Sequence, residues 1–324
     1  MRPVTTTPPA RSRRRALPVG AVLSVIFGLM AAGCSASAAP TSSTSRTTAA
    51  GRTVSTTPPF DGGKPTLDAP GQRLATLATV TYRVQLSATA AGFTSATNSL
   101  QADVASGDLG AARTDELTAQ ADYDAIRTLQ SSAPADVPHI DELSSEVAPG
   151  QSFTGLHAVE RDLWASGPLA TDVADLVGQT PIQHLLMARP LLVVHQQFSP
   201  EAIGTAAVNE LTWVVDEALV IQQEQYSHLG LVDVDATIAA ADQAFTDIEP
   251  LSERVDPNLT ATVATDFAAL QSDDHALGDP TSVVDGAVTA DARLQLARQL
   301  DATASTLARL TALLTPYGTN GGGS

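Results

Sequence analysis

The sequence predicts an all-α fold, arranged as two antiparallel four-helix bundles side by side. Three observations carry this expectation. Aromatic residues make up only 4% of the 324 residues. Ala, Leu, Val and Thr supply most of the apolar content instead, which suits helices packed through small side chains better than a β-sandwich. About eight segments of the body carry helix start and stop signals, and none alternates convincingly as a strand does.

Residues 1–33 read as an export signal. Arg11, Arg13, Arg14 and Arg15 form a basic start, Leu17 to Ala31 a short apolar run, and Ala31-Ala32-Gly33 lead to Cys34. The run is too short and wrongly flanked for a stable membrane span. The pattern resembles a bacterial lipoprotein signal, in which Cys34 becomes the lipidated N-terminus. It departs from the usual lipobox, which has Leu three before the Cys; here Ala31 stands there and Leu29 lies two further back. Cys34 is the single cysteine, so an intramolecular disulfide and any Cys-based metal site are excluded.

Residues 34–66 are rich in Ser, Thr, Pro and Ala without apolar periodicity and read as a disordered linker. The folded body is expected over 67–316, with a disordered tail at 317–324. Removing residues 1–33 takes away five Arg and no acid, which leaves 13 basic and 35 acidic side chains, a net of −22. An acidic body of this kind excludes nucleic acid as a partner, because phosphate binding needs a basic stripe.

Within the body, residues 70–106 lack turn signals, so helix is expected despite the β-branched run at 79–84. Gly107-Asp108 stops that helix, and Asp108 caps the next over 109–131. Pro149-Gly150 precedes a short helix carrying His157 and Glu160. Residues 168–196 read as two helices or one kinked one, interrupted by Gly178, Pro181 and Pro190. Ser199-Pro200 starts a helix expected to run to about Ser227. Further helices are expected over 233–249, 257–277 and 287–315.

The chemistry centres on Phe153-Thr-Gly-Leu-His157-Ala-Val-Glu160. On a helix, i and i+3 share a face, so an imidazole and a carboxylate point the same way and suit a transition metal. Taken alone, the bland reading is the commoner one: His157 caps a turn and Glu160 is a solvated acid. His184 and His195 read as core or surface residues. Glu210, Asp216 and Glu217 read as a solvated helix face, and Trp164 and Trp213 as core anchors.

Gly155-Leu-His157-Ala-Val-Glu160 fits the Gly-x-His-x-x-Glu motif of the imelysin-like superfamily. The flanks look more specifically like its EfeO/EfeM iron-uptake branch. Gly107-Asp108-Leu109 leads to Tyr123-Asp124-Ala125-Ile126, and Ile140-Asp141 and Pro149-Gly150-Gln151 follow in order. Tyr226-Ser227-His228, then Leu231-Val232-Asp233, resembles a downstream element of that branch.

The resemblance implies an exported protein of two four-helix bundles, of the EfeM type without a cupredoxin domain. It implies a cation site built on His157 and Glu160, with Asp124, His228, Glu224 and Asp233 nearby. Iron is the expected metal, with zinc and copper compatible. A membrane permease and a haem peroxidase are the implied partners, and the lipid on Cys34 the membrane contact. His228 stays open between a ligand and a backbone partner at a helix end.

There are departures from the branch. Arg127 stands where an acid is usual, and Gln222 and Gln223 replace acids before Tyr226. A guanidinium there would repel a cation and hold Asp124 as an ion pair. The alternative is therefore a non-catalytic surface interaction protein that keeps the fold with the ion site altered or lost. An enzyme is not expected: the chain has no His-Glu-x-x-His zinc helix and no nucleophile–base constellation.

Overall fold

The structure, a computed structural model, describes residues 68–127, 140–164, 198–219 and 224–317. The expected signal, Cys34, the linker, the 168–196 helices, His184, His195, Gln222, Gln223 and the tail after Tyr317 lie outside the described residues. All regular structure among the described residues is helical, as the composition predicts. No helix among them is long and apolar enough to cross a membrane.

Helix α1 spans Ala69–Ser106, 38 residues, or about 57 Å at the rise of an α-helix. Asp68 caps its start by accepting the Gly71 N–H at 3.1 Å, and Gly107 closes it at φ 78. Left-handed backbone of this kind is reached without strain only by glycine. The β-branched run does not interrupt the helix. Thr79 and Thr81 turn their hydroxyls back onto the carbonyls of Ala75 and Leu77, which satisfies them within helical geometry.

Helix α2 (Leu109–Asp124) starts at Asp108, which accepts the Ala111 N–H. It ends short of the expected 131 because the chain tightens at Tyr123, whose carbonyl takes the Ile126 N–H. Helix α3 (Leu156–Trp164) carries the His-x-x-Glu pair. Helix α4 (Pro200–Trp213) is capped by Ser199 and passes into a π-turn, Val214–Ala218, rather than running on to Ser227. Such turns are rare and occur often at functional sites.

Helix α5 (Leu231–Val255) runs through Pro250, where the sequence suggested a stop. Pro250 is exposed, and fully buried Ile248 and Leu251 on either side hold the helix by packing. Asp256 caps α6 (Pro257–His275) and Thr289 caps α7 (Ala290–Ala312).

Helices α4, α5, α6 and α7 close a ring of pairwise packing contacts: α4 on α5 and α7, α6 on α5 and α7. Their core holds Ile203, Leu211, Ile238, Phe245, Phe267, Leu300 and Leu307. The N-terminal half of α1 joins this core through Ala75, Ala78, Tyr82 and Leu86. Its C-terminal half packs elsewhere, Phe93 with Tyr123 and Leu156, and Leu100 with Ala112, Val159 and Leu163. One helix thus serves two apolar cores. Buried polar residues of α2, α3, the 224–230 turn and the start of α5 are added to this frame.

Gly204 sits in α4 where an added Cβ would meet the Thr311 side chain of α7 and Ile248 of α5. Gly204→Val is expected to lower stability by about 1–3 kcal/mol through overpacking. A urea midpoint unchanged from wild type would show that the α4–α7 contact is looser than the structure has it.

Candidate metal centre

Helix α3 is aimed by its flanks. Gly155, at φ 89, turns the chain into the helix and accepts the Val159 N–H. Arg113 of α2 donates twice to the Leu163 carbonyl, at 3.0 and 2.7 Å, and lies over the Trp164 ring. A cation on the last carbonyls of a helix satisfies orphan acceptors and complements the dipole. His157 and Glu160 therefore leave α3 on one inward face, 2% and 0% exposed.

Glu160 holds the site together. Its Oε1 accepts the backbone N–H groups of Tyr226 and Ser227, at 2.8 and 2.6 Å. Each bond to a charged acceptor contributes about 1.5–3 kcal/mol. This fastens the 224–230 turn onto α3 and brings Glu224 in. The Ser227 hydroxyl donates to Glu224 Oε2 at 3.0 Å.

The remaining oxygens converge on the imidazole. His157 Nδ1 lies 3.5 Å from Glu160 Oε2 and 3.7 Å from Glu224 Oε1. His157 Nε2 lies 3.2 Å from Asp141 Oδ1. Ligand atoms of His157, Glu160 and Glu224 all fall within 4.8 Å of one another, and all three residues are buried. Nδ1, Glu160 Oε2 and Glu224 Oε1 have no hydrogen-bond partner among the described residues. Buried polar atoms are rarely left so. One imidazole nitrogen and two carboxylate oxygens fit a first-row transition metal, bound at about 2.0–2.2 Å. Asp141 lies by the opposite nitrogen, the place where a ligating histidine commonly has a carboxylate partner.

A second lobe adjoins this one. Arg127 donates to Asp124 Oδ1 at 3.1 Å and to Glu210 Oε2 at 2.5 Å, with its guanidinium 3.3 Å from the Trp213 ring centroid. Gln120 bridges the lobes, donating to Asp141 at 3.0 Å and Asp124 at 3.4 Å. Asp233, at the start of α5, lies beside Asp124. No hydrogen-bond donor among the described residues reaches either Asp233 oxygen. Glu116, fully buried on α2, likewise has both oxygens without a donor.

Protonation follows from burial and charge. Burial and then the Glu160 charge push Glu116 well above the carboxylate range. Burial and then the neighbouring Asp233 do the same to Glu224, as burial and Asp124 do to Asp233. Asp124 is pushed up to about 8 by burial, against the pull of Arg127. Burial opposes charge on Asp141 and Glu160 too, but contact with His157 outweighs it and both are lowered. His157 is pulled down by burial and raised more by Asp141 and Glu160, to well above its ordinary value. The metal-free cluster is thus loaded with protons around an imidazolium.

The structure sorts the expected site residues. His157, Glu160 and Glu224 come together. Asp124 and Asp233 form the neighbouring lobe, Asp124 held by Arg127 as the sequence reading anticipates. His228 stands apart: it is exposed, at φ 59, and contributes its backbone, accepting the Asp285 N–H at 2.8 Å. Glu210, expected on a solvated face, is only 7% exposed, because Arg127 draws it inward. Glu116 and Gln120 were missed. Their spacing with Asp124, at i, i+4 and i+8, places all three on one face of α2 and was the signal available.

The imelysin family model, a peptidase M75 grouping, matches residues 78–314. The chain belongs to the imelysin family. Over 176 residues it is 26% identical to the iron uptake system component EfeM of Bacillus subtilis (strain 168), covering 51% of this chain and 42% of that protein. The chain therefore spans less than half the length of this curated relative. Both the His157 lobe and the Arg127 lobe lie within the family match.

The raised carboxyls set a pH dependence. A carboxyl whose folded pKa exceeds its unfolded value, about 4, holds its proton longer when folded, so stability falls as pH rises between the two. For Asp124 that window closes near 8. His157 acts in the same direction, its contribution fading as pH rises through its elevated folded value. In chelator, stability is expected to fall by more than about 1 kcal/mol from pH 5 to pH 8, and Asp233→Asn should flatten the fall. A urea midpoint that holds steady or rises over that range contradicts the proton-loaded cluster.

Proposed function

We propose that this protein is an exported, lipid-anchored imelysin-family component of an iron-uptake system, binding a metal cation at His157, Glu160 and Glu224. The observation that carries the reading is the convergence of three buried ligand atoms with no hydrogen-bond partner among the described residues. Iron is the preferred cargo, on the strength of the relative named for iron uptake. Zinc and copper suit the same donors.

The residues divide the work. Glu160 gives one oxygen to the cation and keeps the other on the Tyr226 and Ser227 amides. Glu224 gives Oε1 while Ser227 steadies Oε2. His157 gives Nδ1, with Asp141 Oδ1 lying 3.2 Å from Nε2 on the other side of the ring. Binding displaces the Nδ1 proton and the proton on Glu224, so affinity rises with pH. The family's label includes the word peptidase. Here the Ser227 hydroxyl donates to Glu224, and it also accepts the Leu229 N–H, an arrangement that supports a binding role over a serine nucleophile.

The Arg127–Asp124 pair favours the alternative reading, an interaction protein with an altered ion site, only for the lobe it occupies. Residues 1–33 would direct export, and Cys34 would carry the lipid. The 34–66 linker would hold the acidic body off the membrane, within reach of a permease and a haem peroxidase of the same system.

Calorimetric titration of the full chain in detergent, with Fe²⁺ under anoxia and with Zn²⁺, tests the site. His157→Ala and Glu224→Gln are each expected to weaken binding by about 100-fold or more. Wild-type binding should release protons, seen as a heat that varies with buffer ionisation enthalpy. Equal affinity in wild type and His157→Ala would remove the proposed centre. Separately, Cys34→Ala is expected to move the protein from the detergent phase to the aqueous phase; retention in the detergent phase would refute the lipid anchor.

A further inference from the structure

A second group of ligating side chains lies outside the His157 centre, where α5 and α6 run side by side. The two helices are joined by Asp256 alone and pack as antiparallel neighbours. Gln271 of α6 donates to Asp242 of α5 at 2.8 Å, which sets their register. Nearer the start of α5 and the end of α6, that register brings Asp235 against Asp274 and His275. One ligand atom from each of these three residues lies within 4.8 Å of the other two. His275 Nε2 is 3.9 Å from Asp235 Oδ1. None of the three belongs to the His157 group. Asp235 is two positions from Asp233, and so on the opposite side of α5.

Asp274 is the residue that an ordinary surface ion pair does not explain. It is only 6% exposed. Among the described residues the group that acts on its carboxyl is another carboxyl, that of Asp235. Burial, and then the Asp235 charge, push Asp274 up to about 7. Its own helix adds to the conflict, because Asp273 and Asp274 both fall in the last turn of α6, at the negative end of the helix dipole. An ion pair between His275 and Asp235 leaves Asp274 buried with no donor. Buried polar groups are rarely left so.

We propose that Asp235, Asp274 and His275 form a second, solvent-facing site for a divalent transition-metal ion.

The donors and their exposure define the ligand class. Donors bound to one metal at about 2.1 Å stand about 3–4 Å apart. The 3.9 Å between His275 Nε2 and Asp235 Oδ1 therefore suits a shared ion. One imidazole nitrogen and two carboxylate oxygens favour zinc, manganese or ferrous iron over a soft ion. Asp274 is buried, whereas the Asp235 and His275 side chains are 43% and 72% exposed. The protein thus covers one side of the ion and leaves the other to water. The His157 centre differs in kind, since its three residues are all buried.

The site is independent of the His157 centre, and the test keeps the two apart. Zn²⁺ and Mn²⁺ binding is measured by equilibrium dialysis and elemental analysis on the full chain in detergent. Circular dichroism first confirms the helical content of each variant. His275→Ala, at an exposed position, is expected to bind one equivalent fewer than wild type. His157→Ala with His275→Ala should bind one fewer than His157→Ala alone. Asp274→Asn should weaken the same equivalent by about 10-fold or more, and Asp235→Asn takes its place if Asp274→Asn fails to fold. In the spectrum of ¹⁵N-histidine-labelled wild type, Zn²⁺ should shift the imidazole signal that His275→Ala removes. Equal counts in wild type and His275→Ala overturn the proposal, as does an equivalent that depends on His275 but keeps its affinity in the Asp variant. If His157→Ala alone leaves the count unchanged, the His157 centre fails while this site stands.

Discussion

Taking many carboxyl groups out of water in one small volume is the constraint on which the rest of this structure depends. Glu116, Asp124, Glu160, Glu224 and Asp233 are each at most 1% exposed. Charges removed from water are costly unless they are paired, hydrogen-bonded or neutralised. Each device is used here. Glu160 is paired with backbone amides and an imidazolium, Asp124 and Glu210 with a guanidinium, and Glu116, Glu224 and Asp233 retain protons.

The helices around the cluster are arranged to withstand that burial. Helix α1 runs through two apolar cores and so fixes the α4–α7 ring and the α2–α3 pair to a common strut. The site residues come from α2, α3, the 224–230 turn and the start of α5. The turn and α3 are joined by the two amide bonds to Glu160. A ligand set drawn from several elements on a rigid frame is held more precisely than one built on a single loop. The π-turn after Trp213 ends α4 where that ring backs the Arg127 guanidinium.

Family membership and site chemistry bear on different questions. The imelysin match covers most of the chain and fixes its kinship. The likeness to an iron uptake system component covers about half of it. Arg127 belongs to neither argument. It is a property of this chain, and it makes one lobe of a two-lobed acid cluster different in kind from the other.

The sequence alone determined the helical class, most helix starts and the His157–Glu160 pair. Capping and helical periodicity are local, so Asp108 and Ser199 were legible as helix starts, and the caps Asp68, Asp256 and Thr289 fall within two residues of expected starts. Tertiary structure decided the partners. Glu224 joins His157 because a turn 64 residues further on is fastened to Glu160. Glu210 is buried because Arg127, 83 residues earlier, draws it in. His228 points away because its backbone turns at φ 59. Spacing along one helix can place two ligands on a face, but which third acid meets them depends on how separate elements pack.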